Sequence, residues 1–107
     1  CYMITPNVLN WFFGNLIQDR DVALSPKLSP ILNENFNNMP KCLIITAEFD
    51  PLVDEGKAYH EKLVENGNSS KYVPMKALHH GFFHQTVLMK NACAQLRAHI
   101  KEFLDSL

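Results

Sequence analysis

Residues 43–56 read LIITAEFDPLVDEG: an apolar run stops at two acids, turns at Pro51 and restarts with a different spacing. The stretch CLIIT, residues 42–46, lacks period-two alternation. A continuous apolar run of that length predicts a strand buried on both faces, as in parallel sheets flanked by helices. Beyond it, Leu52, Gly56, Tyr59 and Leu63 step by four, three and four, which predicts a helix over 52–66 with one inward stripe. Gly56 lowers helix propensity, but it lets that helix come close to a sheet. Asp54 and Glu55 stand in the first turn, where negative charge suits the helix dipole. Gly67 suits a left-handed stop just past the helix end.

Toward the C-terminus, SKYVPM (70–75) reads as a second strand. Pro74 removes a ladder donor and predicts that this strand lies near a sheet edge or ends there. An amphipathic helix follows from about Thr86, with Leu88, Ala92, Leu96, Ile100, Phe103 and Leu107 as its apolar stripe. Toward the N-terminus, Thr5 caps a helix with Pro6 at its first position. Leu9, Phe12, Phe13, Leu16 and Ile17 carry the helical spacing, and its end is expected near Asp19. Pro26, Pro30, Pro40 and a cluster of Asn then mark a loop with room for one short turn.

The order helix, loop, strand, helix, strand, helix predicts an α/β chain with a right-handed parallel crossover. Two parallel strands need a larger sheet to pair with. Cys1 in place of Met predicts a chain that begins inside a longer protein. Residues 1–107 thus read as the C-terminal part of one α/β domain: a helix and Pro/Asn-rich loop over 1–40, then the last two strands with flanking helices over 41–107.

Composition excludes several classes. With 47% hydrophobic and 20% charged residues the chain is ordinary globular material. A net charge of −1 predicts no nucleic-acid surface. No run of about 18 apolar residues exists in this segment, so no membrane span is expected within it. Cys1, Cys42 and Cys93 are odd in number, widely spaced and without a C-x-x-C pair, so they predict neither a disulfide framework nor a metal cage. His80 and His84 have the i, i+4 spacing of a metal pair, but no H-E-x-x-H glutamate or third ligand accompanies them, so no metal site is expected. Asn68-Ser69-Ser70 fits the glycosylation acceptor pattern, which matters only in a secreted or lumenal protein. His60 and His99 read as structural or exposed, and Lys71 and Lys76 as solvated charges.

In parallel α/β sheets, ligands sit beyond the carboxyl ends of the strands. Asp50 lies just past the first strand, and LHHGFFH (78–84) follows the second. Locally, Asp50 before Pro51 has two readings, a helix cap or the carboxylate of a catalytic pair. His79 and His80 compete for the imidazole role. Asp54 reads as a solvated first-turn acid. Trp11, Phe12 and Phe82 each read as core or as the wall of a substrate pocket.

The block P-x-x-L-I-I-T-A-E-F-D-P-L-x-D-E-G-x-A-Y, followed by H-G-F with its histidine 30 positions after Asp50, resembles the hormone-sensitive lipase-like carboxylesterases of the α/β-hydrolase superfamily. LNWFF resembles the aromatic helix ahead of that family's last strands, and LSPKLSPIL resembles its Ser-Pro loop. The similarity runs from about residue 3 to 105. It implies Asp50 as triad acid and His80 as triad base, and favours the H-G-F histidine over His79. It implies acyl esters of short to medium chain length as substrates, no metal or organic cofactor, and Trp11, Phe12 and Phe82 near the acyl pocket. The departures are equally specific. None of Gly14, Gly56, Gly67 and Gly81 frames a serine as the G-x-S-x-G nucleophile elbow does, and no HGGG-type oxyanion loop is present. Val53 stands where arginine is common. Ala77 stands where a glycine often precedes the histidine, at the turn that aims His80. The 107 residues alone are therefore expected to be inactive. The rival reading is a non-catalytic remnant or an interaction subunit of the same fold.

Overall fold

The computed structural model describes residues 4–17 and 20–107. Helix α1 spans Pro6–Leu16, and Thr5 caps it by accepting the Val8 N–H at 3.3 Å. The helix stops at Leu16, with Ile17 as an extended C-cap; the end expected near Asp19 lies outside the described residues, as does Cys1. The Pro-rich segment holds two short pieces rather than one turn, helix α2 at Arg20–Ala23 and a 3-10 turn at Pro30–Leu32.

Strand β1 covers Cys42–Phe49 and β2 covers Ser70–His79, each longer than its apolar stretch. They pair in parallel across the crossover helix α3, Val53–Glu65. Side chains alternate between the two faces of a sheet, and here both faces are covered. On one face α3 approaches so closely that a Cβ at Gly56 would meet Thr46 Cγ2 at 2.8 Å. Beneath it Thr46 and Tyr72 share a hydroxyl hydrogen bond of 2.8 Å, and His60 of α3 stacks on the Tyr72 ring. On the other face Ala47, Met75 and Phe82 are buried, with Ile45, Val73, Met89, Ala92 and Leu96 packed around them. The residues Cys42–Ile45 are half-buried rather than fully enclosed. No strand besides β2 pairs with β1 among the described residues.

α3 ends in a Schellman motif: Gly67 has φ +77°, the Asn68 N–H reaches Leu63 O, and the Gly67 N–H reaches Val64 O. Asn68 then acts as a staple. Its amide donates to Phe36 O at 2.7 Å, and its Oδ1 accepts the Met39 N–H at 2.9 Å. The glycosylation pattern thus falls on an amide nitrogen already committed to the backbone. The same loop inserts Phe36, 2% exposed, against Tyr59 of α3, while Lys62 lies over the Phe36 ring and donates to Ile31 O.

The last helix, α4, spans Lys90–Asp105 and begins four residues later than expected. Leu88 is exposed, and Met89 takes its place in register with Ala92, Cys93 and Leu96. The physical reason is that residues 86–89 form a turn and not a first helical turn. Leu88 precedes the helix and Leu107 follows it, and both are exposed.

Candidate active site

Six consecutive pairs, from Cys42↔Ser70 to Ala47↔Met75, hold one register, and then the register changes. Phe49 pairs with His79, so Glu48 alone stands opposite Lys76, Ala77 and Leu78. Continuing the first register would have set Asp50 level with Leu78. Two residues at about 3.3 Å each would then have carried His80 roughly 7 Å too far. The bulge absorbs those two residues and brings His80 level with Asp50.

Ala77 sits at the centre of the bulge with φ +57°. A left-handed L-residue costs about 1–2 kcal/mol, which a glycine avoids. Its N–H has left the ladder, and Glu48 Oε2 accepts it at 2.7 Å. The chain then turns through Gly81, φ +72°, into a 3-10 turn over Phe82–His84. Cys93 of α4 supports that turn, its Sγ facing Phe82 O and Phe83 O.

At the end of this path His80 Nδ1 lies 2.7 Å from Asp50 Oδ2. Ionised carboxylate oxygens only accept, so Nδ1 carries the proton and Nε2 is left as the basic nitrogen. Asp50's other oxygen accepts the Leu52 N–H at 2.9 Å. The two local readings of Asp50 therefore coexist, although the bond closes a turn ahead of α3 and Leu52 is the formal cap. The Asp50 side chain is 11% exposed and the His80 ring 40%, so the acid is shielded while the imidazole reaches open space. His79 faces elsewhere, donating from Nδ1 to His80 O at 2.7 Å.

Asp50 and His80 border a cleft of about 310 Å³ with Ile45 and Ala47 at its base and Phe82, Phe83, Leu96 and Ile100 as apolar walls. Of the three aromatic candidates, the structure brings Phe82 to this cleft. Trp11 and Phe12 stand on α1, 64% and 55% exposed, and are not among the residues around it. Helix α1 instead borders a separate cleft with Glu55 of α3. Neither described thiol substitutes for a nucleophile beside His80. Cys93 faces carbonyls, and Cys42 starts β1 at the end remote from Asp50, where burial pushes its thiol up and away from the reactive thiolate.

Sequence reasoning missed Glu48, Phe83, Leu96 and Ile100 as neighbours of this site. Glu48 offered one signal, its place two residues before Asp50 at the same strand end. The helical residues gave none, because the register of α4 decides which of them face the cleft.

A family model described as alpha/beta hydrolase fold matches residues 1–84. The carboxylic ester hydrolase LipN of Mycobacterium tuberculosis is 33% identical over 107 residues, a match covering 92% of this chain and 28% of the relative. The arylesterase of Saccharolobus solfataricus is 41% identical over 51 residues, 48% of this chain and 17% of that protein. Among solved structures, the hyperthermophilic esterase of the archaeon Pyrobaculum calidifontis superposes with a TM-score of 0.85 at 32% identity, covering 95% of this chain and 34% of that one. The chain thus spans under a third of the length of the curated relatives it matches. On the family match and the shared architecture, the chain belongs to the alpha/beta hydrolase fold family, among the hormone-sensitive lipase-like carboxylesterases.

Proposed function

We propose that this chain supplies the acid and base of a serine carboxylesterase, with Asp50 as the triad acid and His80 as the triad base. The observation that carries the reading is the 2.7 Å bond from His80 Nδ1 to Asp50 Oδ2 at the rim of an apolar cleft. Asp50 fixes the tautomer and supports the imidazolium. His80 Nε2 takes the serine proton as its oxygen attacks the ester carbonyl, then returns that proton to the leaving alcohol. Water repeats the cycle on the acyl-serine and releases the acid. The substrate class is a small acyl ester, the acyl group resting against Phe82. Trp11 and Phe12 remain proposed as further pocket wall, contributed from α1. No metal or organic cofactor enters this scheme.

The serine and its oxyanion donors belong, in this reading, to a segment outside these 107 residues that also completes the sheet. Several features support that. A two-stranded sheet is marginal alone. The radius of gyration, 15.5 Å, exceeds the roughly 13 Å of a compact domain of about 100 residues. Apolar side chains of α1, with Leu16 66% exposed, lack cover among the described residues.

The test is His80→Ala in the full-length gene product, assayed with a short-chain aryl ester. Turnover should fall to background with the circular dichroism spectrum unchanged; retained turnover overturns His80 as base. The isolated 107 residues should show no serine-type hydrolysis.

A further inference from the structure

We infer that Glu48 is the positioning residue of the site, the group that holds the β2 bulge and thereby sets the register of His80. The inference rests on the hydrolase reading for its kinetic arm only. Three observations converge on it. Glu48 is the single β1 residue opposite the three bulged residues of β2. Its carboxylate accepts the Ala77 N–H at 2.7 Å, a charge-assisted bond to a donor that has left the ladder. Ala77 itself holds φ +57°, a conformation an alanine keeps only where its surroundings enforce it.

The chain from carboxylate to ring is short. Glu48 fixes Ala77, Ala77 fixes the path of Leu78 and His79, and the next residue is His80, bonded to Asp50. If the bulge relaxes toward the regular ladder, the ring moves along the strand direction and away from its acid. Glu48 is exposed and is not among the residues around the cleft, so its effect falls on geometry and not on substrate contact. Glutamine retains a carbonyl oxygen able to accept the same N–H. Glycine at 77 adopts positive φ without steric help.

The experiment uses the full-length protein with Glu48→Ala, Glu48→Gln and the double variant Glu48→Ala/Ala77→Gly. Glu48→Ala should lower kcat by about tenfold to a hundredfold, the scale of a misplaced catalytic group, with little change in KM. Glu48→Gln should retain most of the turnover, and Ala77→Gly should restore most of what Glu48→Ala loses. In parallel, the low-field proton resonance of His80 Nδ1–H bonded to Asp50 should persist in Glu48→Gln and weaken or shift in Glu48→Ala. A Glu48→Ala variant that keeps both kcat and the resonance overturns the inference, as does a double variant with no recovery. A Glu48→Gln variant as impaired as Glu48→Ala overturns it too, since charge rather than the tether would then matter. If His80→Ala retains turnover, the hydrolase reading fails, and the resonance alone decides the role of Glu48.

Discussion

The two ends of the β1/β2 pair are built differently. From Cys42 to Ala47 the strands advance residue for residue under α3 and over the apolar cluster, and what they give the cleft is apolar lining, from Ile45 and Ala47. Beyond Ala47 the ladder bulges, one alanine takes a left-handed backbone, and a carboxylate replaces a strand partner. The regular end supplies rigidity, and the irregular end uses it. A strained loop holds its shape only because the stretch before it cannot slide.

The comparison is broken most directly at Asp50. Asp50→Asn keeps an oxygen for the Leu52 N–H while turning an N–H₂ donor toward His80 Nδ1. The imidazole proton then moves to Nε2, and the base proposed for this site is lost. In the full-length protein kcat should fall by about 10⁴-fold, as expected for a triad in the wrong tautomer, with the urea midpoint little changed. A loss of stability instead would make Asp50 a structural residue first.

The regular end is tested at Gly56. Gly56→Ala would place its Cβ against Thr46 Cγ2, on a buried side chain hydrogen-bonded to Tyr72. Overpacking costs about 1–3 kcal/mol, against roughly 1 kcal/mol of helix propensity gained. A lower urea midpoint with kcat changed only slightly is expected. A rise in stability would show that α3 has slack over the sheet.

The smallest effect lies outside both ends, where Lys71 of β2 meets Glu102 of α4 at 2.9 Å. The Lys71 ammonium holds the Glu102 carboxyl below the usual carboxylate range, through its hydrogen bond and then its charge. A depressed acid stabilises the fold above its unfolded pKa, and that contribution is lost as pH falls through the folded value. Because the pair is solvent-screened, Glu102→Gln should flatten the acid limb of a stability–pH curve only slightly. A large change would mean that this contact, rather than the apolar cluster, docks α4.

What was legible in the sequence follows the same division. The parallel strands, α3 with its close-packing glycine and its stop at Gly67 were readable, because local propensity and tertiary packing agree there. The meeting of Asp50 and His80 was readable through spacing and motif context. The bulge was not, since Lys76, Ala77 and Leu78 include no glycine or proline to mark it; the one hint was alanine where glycine is usual. The start of α4 was misplaced because the apolar spacing runs on into the turn over 86–89, where Leu88 imitates a helical position. Phe36, a core residue in an Asn-rich loop, carried no periodic signal at all.

Asp50 Oδ1 anchors the turn into α3 while Oδ2 aims the imidazole. Fraying of the first turn of that helix would therefore release the ring before the core melts. In the full-length protein, heating should extinguish the proposed ester hydrolysis some degrees below global unfolding, with recovery on cooling as long as the apolar cluster has stayed closed.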